Sequence, residues 1–459
     1  MQLLNINSNY LNKFNILNYS SSRKIGNTSV SNSQYKAYMP LYHPAFCSSI
    51  VLHPELNKTL TTLKTHEQTR FKDLLNKFNN LYPKELLKAF CKNSELRSIT
   101  SETAEKNVKG LVKRFEKENL SLEEYFKACT KQPSLFHQLP TTLEKKVRDF
   151  VKRFKDKSLT TEDYLKACLR QPQLFYQSPK TIEANILNLV NKFEAENLTV
   201  EEYLKACLKQ PSLFVQSAET IVANIKNLVQ KFENERLSLH SYLRASLKQP
   251  QLFNHSPETI ESNIRGLVDK FKNNNLSVEK YLKACIKQPG LFHIPPATIE
   301  KNIKSVVKNF EKENITLEKY IESALKNPSL FYLSPNTVTE HINAFIYIEK
   351  NKGHKINDKS IKTVLNRNLA YSTSLIYLKW IIEPQIKKQY PEIEKIKTTN
   401  IKNKLKHIFE QKPDMQFEIK ILKDEMAENF TKVIQEFAQN ELKAPNAFLI
   451  KQVELSDLQ

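Results

Sequence analysis

The sequence predicts an all-α fold: an α-solenoid of about seven 39-residue helix-pair repeats, right- or left-handed, followed by a helical C-terminal region. Three observations predict it. A short motif recurs at a fixed spacing, apolar residues follow a helical period within each unit, and the 459 residues include only five glycines. So few glycines argue against nucleotide-binding folds with glycine-rich phosphate loops, and against turn-rich β architectures.

The recurring motif is Lys-Gln-Pro-x-Leu-Phe, which is first complete at residues 131–136. Its prolines are 39 residues apart, at Pro133, Pro172, Pro211, Pro250, Pro289 and Pro328. A divergent earlier copy has Ser94 at the proline position. A period of this size is typical of stacked supersecondary units, in which each unit covers an apolar face of its neighbour.

One unit shows how each repeat is predicted to fold. Ser178 and Pro179 suit the N-cap and first position of a long helix. Its apolar stripe holds Ile182, Ile186, Leu189, Val190 and Phe193. Residues 199–202 form a capping box that begins a short helix, and Pro211 ends it. The inner face of that helix holds Tyr203, Leu204, Cys207 and Leu208. Leu213 and Phe214 are expected to pack the connection into the stack.

The flanking segments lack the period. Residues 1–57 are predicted to be a disordered or targeting segment, because residues 1–54 contain no Asp or Glu and are rich in Asn and Ser. Residues 58–350 form the repeat array. Residues 351–459 are predicted to be a helical C-terminal region, because apolar residues recur there at helical spacing, as at Phe430, Ile434 and Phe437.

Composition limits the possible functions. The formal net charge of +21 favours a polyanionic partner: nucleic acid, anionic membrane or acidic protein. Six cysteines in this length suggest a reducing compartment, and no apolar run is long enough for a transmembrane segment. The ten histidines show no metal-binding spacing, and no catalytic motif is present. We therefore predict no enzymatic activity, no cofactor, no metal and no small-molecule substrate.

The repeat resembles that of a known family. The order Pro-x-Leu-Phe, Ser-Pro-x-Thr-Ile, an apolar helix and a second helix ending before the next proline resembles the mitochondrial transcription termination factor (mTERF) family of helical repeat proteins. The resemblance covers about two thirds of the chain. It implies a curved α-solenoid whose basic inner face holds nucleic acid in an organelle.

Three columns of basic residues are the first candidate site, because cations at equivalent positions of stacked units can follow a phosphate backbone. The mid-helix column consists of Lys127, Lys166, Lys205, Arg244 and Lys283. The helix-end column, four residues further along each short helix, consists of Lys131, Arg170, Lys209, Lys248 and Lys287. The long-helix column continues from Arg114 through Arg153, Lys192, Lys231 and Lys270. Helix-dipole stabilisation is the structural alternative, but like charges four residues apart destabilise a helix slightly.

Three other columns recur. The glutamines before each proline (Gln132, Gln171, Gln210, Gln249 and Gln288) can read adenine edges, but a role at the helix end is the favoured interpretation. A further column is predicted to be structural, because its position accepts only small side chains of the kind that are buried: Cys129, Cys168, Cys207 and Cys285, with Ser246 and Ala324. The variable row is the pair after each Leu-Phe: His137 and Gln138, Tyr176 and Gln177, Val215 and Gln216, Asn254 and His255, His293 and Ile294, Tyr332 and Leu333. It suits either a readout surface or an unconstrained loop.

These observations favour a nucleic-acid-binding repeat protein, with DNA or RNA as ligand and a possible place in organellar gene expression. The alternative is a protein-interaction scaffold or secreted bacterial effector that binds an acidic protein. The expected location is intracellular. It is mitochondrial or in another organelle if the N-terminus is a presequence, and otherwise the bacterial cytoplasm or, for a secreted effector, the host cell.

Overall fold

The computed structural model describes residues 54–366 and 373–458, and from Glu55 onward these belong to one compact unit. The predicted N-terminal segment of residues 1–57 therefore lies outside the described residues, apart from its last four, which begin the first helix. Among the described helices, none has the length and apolar character needed to cross a bilayer.

The described residues are mainly helical, as predicted. The first helices are α1 (Pro54–Leu60), α2 (Thr65–Lys77), α3 (Pro83–Lys92) and α4 (Ser94–Ser98). The regular units follow with α5 (Ser101–Arg114), α6 (Leu122–Lys131), α7 (Pro140–Arg153), α8 (Thr161–Arg170), α9 (Pro179–Lys192), α10 (Val200–Lys209), α11 (Ala218–Lys231) and α12 (Leu239–Lys248). The array continues with α13 (Pro257–Phe271), α14 (Val278–Lys287), α15 (Pro296–Asn309), α16 (Leu317–Lys326), α17 (Pro335–Asn351) and α18 (Asp358–Asn366).

Each unit joins a long helix, a short helix and a 3₁₀ turn that contains the Pro-x-Leu-Phe motif. The turns are Pro133–His137, Pro172–Phe175, Pro211–Phe214, Pro250–Asn254, Pro289–His293 and Pro328–Phe331. In the divergent first copy, α4 takes the place of this turn. The long helices pack side by side in one row and the short helices in a second row. Helix α18 packs on α16 as the other short helices pack on one another, so the array extends beyond the predicted boundary at residue 350.

Local sequence signals account for where these helices begin and end. Thr199 and Glu202 form the predicted capping box, and Gln210 leaves the helical region directly before Pro211. Pro179 starts its helix as predicted, but the Ser178 side chain makes no capping hydrogen bond. The equivalent serine, Ser217, does cap its helix, accepting a hydrogen bond from the backbone of Thr220.

Neighbouring units are joined by a repeated aromatic contact. The tyrosine of five successive short helices, α6 to α14, meets the phenylalanine of the next unit's turn edge to face, for example Tyr164 with Phe214 at 5.6 Å between ring centroids and 85° between planes. The same contact joins Tyr125 to Phe175, Tyr203 to Phe253, Tyr242 to Phe292 and Tyr281 to Phe331. Phe214 is fully buried, as predicted, and also touches Phe150 of the preceding unit.

The C-terminal region is not entirely helical, which corrects the prediction. Its helices are α19 (Thr373–Tyr377), which continues into the π-helical segment Leu378–Ile382, then α20 (Glu383–Gln389), α21 (Ile401–Gln411) and α22 (Ala427–Asn440). Strands β1 (Phe417–Leu422) and β2 (Phe448–Val453) pair in parallel, with Phe417 opposite Phe448, and α22 makes the crossover between them. Phe430, Ile434 and Phe437 lie on the buried face of α22, as their spacing predicts.

The outer edge of β1 is covered by two glutamines one helical turn apart. Gln385 accepts a hydrogen bond from the Lys420 backbone N–H (2.8 Å) and donates one to its carbonyl (2.9 Å). Gln389 makes the same pair of bonds with the backbone of Glu418. These side-chain amides take the place of a neighbouring strand and satisfy the outward-facing backbone groups of Glu418 and Lys420.

Replacing Phe214 by alanine should destabilise its part of the array by ~3–5 kcal/mol, because the ring is fully buried between two units. Urea denaturation followed by circular dichroism, with hydrogen exchange of α7 to α10, measures the loss and its location. Val215→Ala in the same turn is the control, and its effect should be much smaller because that side chain is only half-buried. An equal effect of the two substitutions would contradict the stacking role.

Arg236→Asn should stabilise the protein by up to ~1 kcal/mol. Arg236 has φ of +63°, a left-handed conformation that costs most residues ~1–2 kcal/mol, whereas the equivalent positions Asn119, Asn197, Asn275 and Asn314 carry asparagine. The thermal midpoint measures the change. Exposed Glu233, which does not have a positive φ, supplies the control Glu233→Asn, and a gain of equal size there would show that backbone conformation is not the cause.

Candidate nucleic-acid interface

The mid-helix column lies on the exposed face of the short helices, but its cations already have partners. Lys166, Lys205 and Lys283 pair with glutamates one turn earlier, at 2.6, 2.6 and 2.8 Å. Lys127 lies over the ring of Tyr82, with 5.3 Å between Nζ and the ring centroid. Arg244 pairs with Glu202 of the preceding unit at 2.5 Å. Exposed pairs of this kind contribute little to stability, yet they reduce the positive charge offered to a ligand.

The helix-end column is different, because its lysines are exposed and unneutralised. Within the described residues, the side-chain ammonium groups of Lys131, Lys209, Lys248 and Lys287 make no ion pair and no hydrogen bond. Each is the last residue of its short helix, and these helices pack side by side, so the four ammonium groups recur at one end of the row. Of the three predicted columns, these four lysines and the exposed Lys192 of the long-helix column are the cations whose side chains have no ion pair, hydrogen bond or ring contact among the described residues, so they remain available for phosphate groups.

Arg170 is the exception in the helix-end column. Its guanidinium donates hydrogen bonds to the carbonyl oxygens of Leu208 and of Lys209 (3.2 Å), at the end of the next short helix. These carbonyls have no partner within their own helix, so an arginine there satisfies them and complements the helix dipole. The position of Arg170 favours a structural role over phosphate binding.

The long-helix column mainly forms ion pairs between units, a role that the sequence interpretation did not assign to it. Arg153 pairs with Glu183, Lys231 with Glu261 at 2.7 Å, and Lys270 with Glu300 at 2.6 Å, each acid lying on the next long helix. Arg114 pairs with Glu144 in the same way. Lys192 breaks the series, since the position 30 residues ahead is occupied by Val222. The arrangement supports a stacking role for this column.

Two further arginines that the sequence did not single out strengthen these contacts. Arg265 bridges Glu235 at 3.2 Å and Glu261 at 3.0 Å, and lies over the ring of Phe232. Arg148 bridges Glu118 and Glu144 in the same manner. The sequence does contain a pattern that could have identified these two arginines. Each lies four residues after an acid on its long helix, at a position where other units carry a neutral residue or lysine.

The glutamine column makes contacts within the turn. Gln132 and Gln210 donate hydrogen bonds to serine hydroxyls two residues ahead, both at 3.0 Å, and Gln249 donates to Gln251 at 3.2 Å. These three glutamines thus bond side chains of the turn and not the backbone groups that the structural interpretation predicted. The column of Cys129, Cys168, Cys207 and Cys285 is buried, and burial raises the thiol pKa values well above their usual range.

The variable row is half-buried and runs from unit to unit. At one junction the second residue of a pair lies beside the first residue of the next pair: the rings of His255 and His293 are 5.5 Å apart between centroids and nearly parallel, at 7°. Burial lowers the pKa of both imidazoles and so favours their uncharged form. The row lies directly after the motif turn of each unit, which is also the end of the unit where the helix-end lysines lie.

No protein-family model matches this chain, and no curated protein is significantly similar to it.

The inter-unit ion pairs predict a particular pH dependence. The Lys231 ammonium, followed by Arg265, holds the pKa of Glu261 below its usual value, so the pair stabilises the fold above about pH 4.3 and is lost as pH falls through the lower pKa. Lys231→Gln should therefore lose less stability between about pH 7 and pH 3 than the wild type, as measured by urea midpoints. Exposed Lys226 on the same helix supplies the control, and Lys226→Gln should keep the wild-type dependence. Identical pH profiles for all three proteins would contradict the ion-pair role.

Proposed function

We propose that the repeat array binds nucleic acid, and that the helix-end lysines Lys131, Lys209, Lys248 and Lys287 contact its phosphates. The observation that carries the proposal is the contrast between columns. The mid-helix and long-helix cations are mostly paired with acids or carbonyl groups, whereas these four exposed lysines recur without an ion-pair partner among the described residues.

Helix stability alone does not account for these lysines. A cation at a helix C-terminus contributes ~0.3–1 kcal/mol, but a second cation four residues earlier opposes part of that gain. Neighbouring packed helices are ~8–10 Å apart, and nucleic acid presents a phosphate every ~3.4 Å along a strand. Lysines on adjacent units, as at Lys209, Lys248 and Lys287, therefore match about every third phosphate, which suits a polyanion with regularly spaced charge.

The mTERF resemblance supports an extension of this proposal to organellar gene expression. The N-terminal residues 1–57 would then act as the presequence. Fusing residues 1–57 to a fluorescent reporter tests this extension, and a reporter that stays diffuse in eukaryotic cells would contradict the organellar part while leaving nucleic-acid binding unaffected.

Changing Lys131, Lys209, Lys248 and Lys287 together to glutamine should weaken nucleic-acid binding and reduce its salt dependence. Each lost phosphate contact lowers the slope of log K against log salt by ~0.9 on duplex or ~0.7 on single strands. Fluorescence anisotropy with duplex and single-stranded oligonucleotides at several salt concentrations measures both effects. Stability should barely change, because the four side chains are exposed.

The matched control removes the same number of charges from the long-helix column, by changing Arg153, Lys192, Lys231 and Lys270 to glutamine. Compared with the helix-end variant, this control should lose more folding stability, because three of its cations pair with acids of the next unit. Its slope of log K against log salt should fall by less. Equal loss of binding in both variants would indicate a response to net charge alone. A wild-type protein that binds no oligonucleotide below about 10 µM at about 0.1 M salt would favour the acidic-protein scaffold instead.

A further inference from the structure

The variable pair Asn254 and His255 contacts the units on both sides of it. The ring of His255 is stacked on that of His293 of the next unit, and Asn254 donates a hydrogen bond to the Ser212 hydroxyl of the preceding unit at 2.8 Å. At this junction the variable residues thus belong to a surface shared between units and not to a separate loop.

The row also holds polar atoms that the fold leaves unsatisfied. Four buried side-chain atoms in the described part of the chain have no hydrogen-bond partner, and three belong to the row: His137 Nε2, Gln216 Oε1 and His293 Nδ1. An unmet buried donor or acceptor is costly to stability, and such atoms call for a specific explanation. The fold itself does not use these groups, although it surrounds them.

The chemistry of the row suits unpaired bases. Its side chains are imidazole rings, tyrosine rings and amides, with a few aliphatic groups. Aromatic and imidazole rings stack on bases, and amides and imidazoles bond to base edges. In a duplex the Watson–Crick edges are paired and the base faces are stacked on one another, so a row that stacks on base faces and bonds to these edges suits the bases of a single strand.

The variable row is linked to the C-terminal end of a short helix, where a helix-end lysine lies. Ser212 accepts hydrogen bonds both from Asn254 of the variable row and from Gln210, the residue that directly follows Lys209. Two hydrogen bonds, both to the Ser212 hydroxyl, therefore connect the variable residue Asn254 to Gln210 at the end of a short helix. A strand whose phosphates follow the lysines would bring its bases to the row.

We infer that the variable row contacts the bases of single-stranded nucleic acid and sets sequence preference, with successive units reading successive short stretches of the strand. This inference rests on the proposed function, because it takes the phosphates of the same strand to lie on the helix-end lysines. The differing pairs, such as Tyr176 with Gln177 and Asn254 with His255, then give different units different preferences.

An exchange of one pair tests the inference in the full-length protein. In the double variant Asn254→Tyr and His255→Gln, one unit carries the pair that another unit already accommodates at residues 176 and 177. Random-sequence single-stranded RNA and DNA pools are selected with wild type and variant, and the enriched sequences are compared by anisotropy. The variant should change the preference within one short window by on the order of tenfold, with similar affinity for the unselected pools.

Asn273→Tyr is the matched control, because Asn273 is exposed beyond the long helix of the following unit, away from the motif turn. It should leave the selected sequences unchanged. Binding to single strands with the same preference in wild type and exchange variant would overturn the inference while preserving the proposed function. Tighter binding to duplex than to either single strand would also overturn it, and no binding to any pool would contradict the proposed function itself.

Discussion

The array depends on one contact, in which the tyrosine of a short helix meets the phenylalanine of the next unit's turn. An edge-to-face aromatic pair contributes ~0.5–1.5 kcal/mol beyond the burial of its rings. The contact recurs with ring centroids 5.2 to 5.7 Å apart wherever both residues are described. It requires the proline that ends the short helix, because the chain must turn there to bring Leu and Phe back into the stack. The motif is therefore a packing element first.

Because packing uses the motif turn and the inner helix faces, the basic residues are divided between two roles. The long-helix cations, such as Lys231 and Lys270, hold neighbouring units together through Glu261 and Glu300. Arg170 and Arg244 likewise bond to backbone carbonyls of adjacent units. The lysines at the ends of the short helices do none of this. Many of the positively charged side chains thus join neighbouring units, and a smaller set at repeated positions is not used in this way.

The repeat could be predicted from the sequence, because the apolar period, the capping residues and the proline each act on nearby residues. The limits of α10 and the burial of Phe214 both follow from these local signals. It was insufficient wherever a side chain's role depends on the next unit, as for Arg153 with Glu183, 30 positions ahead. The parallel strands were missed because their pairing joins residues 31 positions apart, Phe417 and Phe448, and because glutamines of α20 cover one strand edge. The helix-end lysines were named from sequence, but only the structure separates them from the paired columns.

The most direct test is lysine footprinting by acylation and mass spectrometry, with and without a single-stranded oligonucleotide at low salt. It shows whether the lysines that take no part in contacts between units bind the ligand. Without ligand, Lys131, Lys209, Lys248 and Lys287 should react faster than Lys231 and Lys270, whose ammonium groups are in ion pairs. With ligand, the four helix-end lysines should become protected while Lys231 and Lys270 stay unchanged. Protection of Lys231 and Lys270 alone, or no protection of the helix-end lysines under conditions where the oligonucleotide binds, would contradict the account.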